Sequence, residues 1–202
     1  MDKMLQDSFS EFCSEVGIRH KAGEVFEMKI RIAKESDIPA ISAIYEKIHD
    51  EEESGKVTIG WIRGIYPTAD TAEAAIKRGD LFVGEDNGAI VGSAILNRTQ
   101  VDCYSGGNWE YPCEDSEVMV MHTLTINPNL SRRGYGNAFL KFYEEYAAAE
   151  KCKALRLDTN ERNVRARAMY RNSGYKEVGI VPCVFNGIPD VQLVLLEKPL
   201  CK

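Results

Sequence analysis

The chain has 202 residues, of which 44% are hydrophobic and 28% are charged, as is typical of a soluble globular domain. Its formal net charge of -6 argues against nucleic acid as a general partner. No apolar run is long enough to cross a bilayer, and residues 1–21 lack the apolar core and cleavage site of a secretory signal. We therefore expect a cytoplasmic protein with neither a membrane nor a nucleic-acid partner.

The six cysteines are scattered and include no CxxC pair, which favours free thiols over a disulfide framework. Cys103, Cys113 and His122 are the residues that could meet as metal ligands. Their spacing matches no recurrent zinc site, so we expect no metal.

Charge is distributed unevenly along the chain. Residues 131–171 contain ten Lys or Arg and five Asp or Glu, a local charge of +5, so the remainder carries -11. A basic segment within an acidic protein suits a compact anionic ligand. A solvated helix face with ordinary ion pairs explains the same charge equally well.

Residues 1–27 are predicted to be an N-terminal extension, helical or partly disordered, ahead of a domain at residues 28–202. Leu5, Phe9, Phe12 and Val16 follow a helical spacing. An amphipathic helix of this kind would pack on the domain or against a second copy of the chain in a homodimer.

From residue 28 onwards, strand and helix patterns follow one another. In chain order they predict a strand at 28–33, helices at 35–53 and 68–79, a hairpin at 80–98, a polar connection at 99–116, a strand at 117–126, a turn and helix within 127–151, a strand at 153–159, a helix at 163–174, and strands at 175–181 and 191–198. The order β-α-α-β-β-β-α-β-α-β-β predicts a mixed α/β layer structure in one domain.

Local signals support these boundaries. Ser36 or Asp37 can cap the first helix, and Asn87 and Gly88 supply the tight turn of the hairpin. The strand at 117–126 carries apolar residues on both faces, which places it in the centre of the sheet.

The segment NPNLSRRGYGNAFLKFYEEYAAAEK (127–151) carries the first chemical signal. Gly134 and Gly136 allow a ligand to approach the backbone, and the following helix offers unpaired N–H groups and the positive end of its dipole. Arg132 and Arg133 add positive charge. The turn therefore predicts an anion site, most often for phosphate. The lysine of a P-loop and the third glycine of a dinucleotide fingerprint are both absent from this segment.

The wider pattern resembles the GNAT superfamily of N-acetyltransferases, which use acetyl-CoA. The family's turn, Gln/Arg-x-x-Gly-x-Gly/Ala, is present at residues 131–136, with Ser131 in the first position. The family's later signature, Asn-x-x-Ala-x-x-x-Tyr followed by Gly-aromatic, appears as Asn163, Ala166, Tyr170, Gly174 and Tyr175. The resemblance implies a GNAT-type fold and transfer of acetyl from acetyl-CoA to a primary amine of a small molecule or peptide, by direct attack in a ternary complex.

The resemblance also assigns roles to individual residues. The central strand would pair with the pantetheine arm, the amides after residue 131 would hold the pyrophosphate, and the helix at 163–174 would contact the pantetheine and the sulfur. The residues assigned to acetyl-CoA are Leu124, Thr125, Ile126, Arg132, Arg133, Gly134, Tyr135, Gly136, Asn137, Asn163, Ala166 and Tyr170.

Two side chains are candidates for proton transfer. Tyr170 would protonate the leaving thiolate, the alternative being a core tyrosine on an amphipathic helix. His122 alternates with Leu124 and so is predicted to share its face, where it would act as a general base. A packed core histidine, a weaker candidate base at Glu117, and catalysis through ordered water all remain open.

The acceptor is less well defined. An acidic and aromatic pocket for a cationic amine would combine acids at 50–53 with the aromatic residues Trp61, Tyr66, Tyr104, Trp109 and Tyr111, although packing explains these residues too. Other functions also remain open: transfer of a longer acyl group, a protein N-terminus or lysine as acceptor, a CoA-binding sensor or assembly module without turnover, and a structural partner protein.

Overall fold

The structure is a computed structural model and describes residues 14–19 and 25–200. A mixed sheet of eight strands in the order β1-β2-β3-β4-β5-β6-β8-β7 forms its centre. The strands are β1 (Ser14–Arg19), β2 (Val25–Ile32), β3 (Leu81–Asp86), β4 (Ala89–Asn97), β5 (Val118–Ile126), β6 (Ala154–Asn160), β7 (Lys176–Phe185) and β8 (Ile188–Pro199). All neighbouring strands are antiparallel except β5 and β6.

Within the described residues, four α-helices cover the sheet. They are α1 (Ile38–Glu53), α2 (Ala69–Arg78), α3 (Tyr135–Ala149) and α4 (Val164–Asn172). From residue 28 onwards the predicted order of strands and helices is confirmed, and β5 is an interior strand as its apolar faces indicated. Among the described helices, none combines the length and apolar character that crossing a membrane would require.

The N-terminal part differs from the helix predicted for it. Ser14–Arg19 form a strand that pairs antiparallel with β2, so the helical interpretation is wrong at Val16. Val16 and Ile18 are two residues apart, so they also fit the alternating pattern of a strand, and β2 offers that strand an open sheet edge to pair with. The predicted helix positions Leu5, Phe9 and Phe12 lie outside the described residues. The domain boundary at residue 28 stays a prediction, although β2 already begins at Val25.

The two faces of the sheet carry different helices. Helices α3 and α4 pack on one face, where Phe139 and Tyr143 join Met119 and Leu155 in the largest apolar cluster. Helices α1 and α2 pack on the other face, and there a second cluster contains Ile41, Tyr45, Leu81, Ile95 and Ala72. Successive residues of each strand therefore serve opposite layers, as the alternation of side chains requires.

Turns and caps lie close to their predicted positions. Asn87 and Gly88 both have positive φ, 50° and 75°, as the tight hairpin turn requires. Asp37 is the N-cap of α1, but its carboxylate accepts the Lys34 N–H at 2.8 Å and pairs with Arg31 instead of capping the helix.

A bulge interrupts β5 at its midpoint. His122 pairs with Ile95 and Thr125 pairs with Ser93, so both Thr123 and Leu124 oppose the single residue between those partners. Thr123 has a φ of 51°, a conformation that re-aims the strand. His122 and Thr125 consequently share the face of α1 and α2, whereas Leu124 packs with the cluster under α3. The prediction that His122 and Leu124 share a face is therefore wrong.

Strands β5 and β6 separate at the same level. Their parallel pairing joins Val118–Met121 to Ala154–Leu157 and ends there. Beyond this point β6 continues along β8, whereas the second half of β5 stays with β4. The sheet is therefore split between two of its interior strands, and a gap opens beside residues 122–126.

Candidate active site

A cavity of about 620 Å³ occupies this gap. It is walled by the ends of β5 and β6, the starts of α3 and α4, and the loop at residues 56–61. Of the residues predicted from the sequence, those lining it are His122, Leu124, Thr125, Ile126, Arg132, Gly134, Tyr135, Gly136, Asn137, Asn163, Ala166 and Tyr170. Arg133 is exposed and does not line the cavity.

The open side of β5 forms one wall. Asn127 donates its N–H to Val91 O at 2.8 Å and so points towards β4. Because backbone groups alternate in direction along a strand, those of Leu124 and Ile126 point away from β4 and into the gap. We call these backbone groups the internal edge, since they resemble the free edge of a sheet although β5 is an interior strand.

The SRRG turn (residues 131–134) lies at the end of this wall. Ser131 has a φ of -61°, while Arg132 and Gly134 have positive φ values of 67° and 92°. A turn with positive φ values of this kind leaves backbone N–H groups outside regular pairing, where an anion can accept hydrogen bonds from them. Gly134 is required because an L side chain is disfavoured at this φ.

The N-terminus of α3 continues the anion site. Its first intrahelical bond runs from Ala138 N–H to Gly134 O, at 3.0 Å, and no side chain caps the helix. The N–H groups of Tyr135, Gly136 and Asn137 precede that bond and therefore have no intrahelical acceptor. The first turn also carries no acidic side chain to neutralise the dipole.

Two of the predicted residues in this helix contribute differently from expectation. The Tyr135 side chain is buried and its hydroxyl donates to Asp86, so only its backbone belongs to the anion site. A Cβ at Gly136 would come within 2.8 Å of Met169 Sδ. Gly136 thus permits close packing of α3 against α4, in addition to leaving its own N–H accessible.

Helix α4 forms the facing wall. Asn163 is its N-cap, and its Oδ1 accepts the Ala166 N–H at 3.2 Å. One turn further on, the buried ring of Tyr170 packs edge-on against Tyr175, with 6.1 Å between ring centroids. Burial raises the pKa of Tyr170, and the nearby carboxylate of Asp158 raises it further. The phenol therefore stays protonated at neutral pH.

His122 is in a different environment from the one predicted for a general base. Its Nε2 lies 3.1 Å from Asn97 Oδ1, and burial lowers its pKa to about 4. An imidazole with so low a pKa is neutral but holds a proton weakly. The expectation that its ordinary pKa suits proton abstraction is therefore wrong, because that value belongs to a solvated side chain. The other candidate base, Glu117, pairs with Lys153, and hydrogen bonding to that lysine lowers its pKa.

Aromatic residues line the side of the cavity towards α1. The ring of Tyr66 packs edge-on against both Trp61 and Phe185, at centroid distances of 5.9 and 5.6 Å. Glu52 fixes the loop that carries Trp61 by accepting the N–H groups of Ile59 and Gly60. We call this region, together with Asp158 of β6, the acceptor compartment, after the role that we propose for it.

Of the other residues predicted for the acidic and aromatic pocket, Glu51 lines the cavity, and the remainder do not. Asp50 and Glu53 pair with Arg63 at the surface. Trp109 stacks under the guanidinium of Arg156 at 4.1 Å, outside the cavity lining, and Tyr111 is exposed.

Asp158 is a cavity residue that the sequence reasoning missed. It lies on β6 immediately after the pairing with β5 ends, and its Oδ2 accepts a hydrogen bond from the Tyr104 hydroxyl at 2.8 Å. Burial raises the pKa of this carboxyl to about 6. An acidic residue within the apolar strand ALRLDTN was the signal that could have identified it. Among the described residues, no group of three His, Cys, Asp or Glu side chains could hold a metal ion.

Comparisons with known proteins agree with this geometry. The sequence profile of the acetyltransferase (GNAT) family matches residues 42–175. YhfO of Bacillus subtilis (strain 168), described as an uncharacterized N-acetyltransferase, is 25% identical over 150 residues, which cover 74% of this chain and 91% of that protein.

Solved structures share the fold. A GNAT-family acetyltransferase from Streptococcus agalactiae has a TM-score of 0.72 and 24% identity, covering 87% of this chain and 96% of that one. The protein yncA from Salmonella typhimurium, solved with its cofactor acetyl-CoA, has a TM-score of 0.62 and 17% identity, covering 87% and 95%. The family profile spans more than half of the chain, and the chain therefore belongs to the acetyltransferase (GNAT) family.

Proposed function

We propose that this protein transfers the acetyl group of acetyl-CoA to a primary amine by direct attack in a ternary complex. One observation carries the proposal: the internal edge of β5 and the uncapped N-terminus of α3 face the same cavity. An unpaired strand edge suits the amide-containing pantetheine arm, and a helix N-terminus beside the SRRG turn suits a pyrophosphate. YncA, a structural neighbour solved with acetyl-CoA, supports this choice of donor.

The residues that would hold the donor follow from these two features. The backbone of Leu124 and Ile126 would pair with the pantetheine amides, and the N–H groups from Arg132 to Asn137 would bind the pyrophosphate. Arg132 and Arg133 are both exposed, but only Arg132 lines the cavity, so Arg133 would contribute charge at longer range. Asn163 and Ala166 border the arm from α4.

The bound donor supplies a thioester carbonyl and a thiolate leaving group. Negative charge that develops on the carbonyl oxygen is stabilised by a hydrogen-bond donor in a fixed position. The Leu124 N–H at the internal edge would serve better than the Thr125 N–H, because the backbone of Thr125 faces β4. Tyr170 would then give its proton to the departing sulfur. The phenol is protonated at neutral pH and so has a proton to give.

The test combines turnover with binding. Release of CoA from acetyl-CoA is measured across polyamines, aminoglycosides, amino acids and short peptides, with acetyl-CoA binding followed by calorimetry. CoA is quantified by chromatography, because the six cysteines of the chain would react with a thiol dye. We expect binding, and turnover with at least one class of amine.

Other outcomes would replace the proposal. Binding of acetyl-CoA without turnover on small amines or peptides would favour a CoA sensor, and a donor series with longer acyl chains would reveal a different acyl group. Folded protein that binds neither acetyl-CoA nor CoA would refute the assignment of the cavity.

A further inference from the structure

We infer that Asp158 binds the acceptor's primary ammonium and removes its proton, so that the acceptor is a cationic amine that enters through the aromatic side of the cavity. This inference rests on the proposed function and adds the charge class of the acceptor and the base. Asp158 lies in the acceptor compartment, and its carboxylate interacts electrostatically with Tyr170 of the same cavity.

The position of Asp158 follows from the alternation of β6. Leu155 and Leu157 point into the cluster under α3, so Asp158 projects from the opposite face, towards α1. The β5 pairing ends at Leu157, so the carboxylate stands at the first level where the gap is open. Tyr104 holds Oδ2 at 2.8 Å, while Oδ1 accepts no hydrogen bond from the described residues.

The surroundings of Asp158 supply no positive charge. No lysine or arginine in the part of the chain that the structure describes forms an ion pair with it. The titratable groups that interact with it electrostatically are Tyr66, Tyr104, Tyr170, Cys103 and Cys183. Burial raises the pKa of every one of these hydroxyls and thiols, so all are neutral at pH 7.

An unpaired carboxylate in such a place is costly unless a cation joins it. The acceptor compartment is built to admit one, because Trp61, Tyr66 and Phe185 bring aromatic rings to the same cavity. Aromatic faces attract ammonium groups and exclude water from them. The loop bearing Trp61 is anchored by Glu52, which leaves the compartment preformed.

The other acids and bases of the cavity are less suitable. Glu51 lines the cavity but lies 3.7 Å from Lys56, which already balances its charge. His122 is neutral, and its Nε2 lies within hydrogen-bond distance of Asn97. Asp158 has instead a pKa of about 6, so it is ionised at pH 7 yet holds a proton more tightly than an exposed carboxylate.

The reaction converts an ammonium ion and a thioester into an amide, a thiol and one proton. Asp158 takes one proton from the ammonium, the freed nitrogen lone pair forms a bond to the carbonyl carbon, and the C–S bond breaks. Tyr170 protonates the sulfur, and the second nitrogen proton replaces the one that Tyr170 gave. Asp158 then releases its proton to solvent, so the products are the amide, the CoA thiol and one proton.

The pH dependence of kcat/KM tests this role. The probes are n-butylamine, 1,5-diaminopentane and spermidine, all of which are ammonium ions below pH 9. In the native protein, kcat/KM should fall below a pH of about 6, where Asp158 becomes protonated, and form a plateau from there to the pKa of the amine. The plateau arises because the reacting forms are the ionised carboxylate and the ammonium ion.

Asp158→Asn should remove the plateau. Without the carboxylate only free amine reacts, so kcat/KM should rise tenfold per pH unit up to the pKa of the amine and be on the order of 1000-fold below native at pH 7. The control is Asp50→Asn, the same chemical change at an exposed carboxylate that pairs with Arg63 outside the cavity. Asp50→Asn should keep the native profile.

Tyr104→Phe provides a second, milder variant. The Tyr104 hydrogen bond lowers the pKa of Asp158, so its removal should move the acidic limb of the profile to higher pH while the plateau persists. A Tyr104 that only supported the fold would leave the position of that limb unchanged.

Acetyl-CoA calorimetry separates failure of this inference from failure of the proposed function. Asp158→Asn should bind acetyl-CoA within about twofold of native, since the residue lies away from the anion site. Native-like kcat/KM and an unchanged plateau in Asp158→Asn, with donor binding intact, would overturn the role of Asp158 alone. Absence of donor binding in the native protein would overturn both.

Discussion

Arg156 on β6 and Glu197 on β8 form an ion pair across the sheet, with 3.4 Å between Nε and Oε1 and side chains only 8% and 1% exposed. Trp109 covers the guanidinium at 4.1 Å, and Glu197 Oε2 accepts the Glu110 N–H at 2.8 Å. The pair therefore fastens the connection between β4 and β5 to the sheet beside the cavity.

Arg156→Ala should destabilise the protein strongly. Removing one partner leaves a buried carboxylate unbalanced, which costs about 3–5 kcal/mol. Urea unfolding at pH 7 measures the change. Arg171→Ala is the control, because Arg171 pairs with Glu177 but its side chain is 52% exposed. Loss of this exposed pair should lower the free energy of unfolding by less than about 1 kcal/mol. Equal losses in the two variants would contradict the interpretation.

Gly134→Ala should weaken acetyl-CoA binding by about tenfold or more. A side chain at a φ of 92° adds roughly 1–2 kcal/mol of backbone strain, and relief of that strain would turn the N–H groups of the SRRG turn away from the anion. Calorimetry measures the affinity. Gly88→Ala is the control, because it introduces similar strain at a φ of 75° in the hairpin of β3 and β4, where an added Cβ would have no atom within 4 Å. This variant should bind acetyl-CoA like the native protein. A similar loss in both variants would show that strain alone, and not the turn, is responsible.

Tyr170→Phe should lower kcat on the order of 100-fold with little effect on acetyl-CoA affinity, because the phenol acts on the leaving sulfur and not on the pyrophosphate. Single-turnover kinetics and calorimetry separate the two quantities. Tyr175→Phe is the matched control, since it removes a buried hydroxyl without a hydrogen-bond partner from the ring packed against Tyr170. A native kcat in Tyr170→Phe would exclude the general-acid role.

His122 should make the native protein less stable in acid. Burial lowers its pKa from 6.5 to about 4, so the unfolded chain binds more protons between these values. Its contribution is present above pH 6.5 and is lost as the pH falls through 4, a change of roughly 3 kcal/mol. The raised pKa of Asp158 acts in the opposite sense, because the stability linked to that group is lost as the pH rises through 6.

The difference between native protein and His122→Gln isolates the histidine, since Asp158 is present in both. Urea unfolding at pH 7.5, 5.5 and 4 should give a difference in unfolding free energy that shrinks towards acid. A difference that does not vary with pH would mean that the imidazole titrates normally in the folded protein.

Features fixed by short-range chemistry were predictable from the sequence. Asn87 and Gly88 adopt the positive φ values that make a tight turn, and Gly134 does the same ahead of α3. Each of these conformations depends on the residue itself and not on distant partners. The order of strands and helices was predictable for a related reason, because hydrophobic period and turn residues agree along most of the chain.

Features set by distant contacts were not predictable. Nothing in the sequence VMVMHTLTI marks an irregularity, and the bulge at Thr123 arises from the register with β4. The environment of Asp158 depends on Tyr104, which is 54 positions away in the chain. The low pKa of His122 likewise reflects burial that its sequence neighbours do not reveal.

Formation of a homodimer, which the sequence analysis considered for the N-terminal extension, stays a prediction.

The split between β5 and β6 also changes where the unpaired backbone groups of the sheet lie. Unpaired backbone groups normally lie at the outer margin of a sheet, where they can recruit a strand from another molecule. Here such groups lie within the molecule, between α4 and the loop at 56–61. A polypeptide strand carries side chains at every residue and needs room on both sides of its backbone, whereas a pantetheine arm is thin and flexible. Because these groups face a cleft, they are not presented to a strand of another molecule as they would be at a free sheet edge.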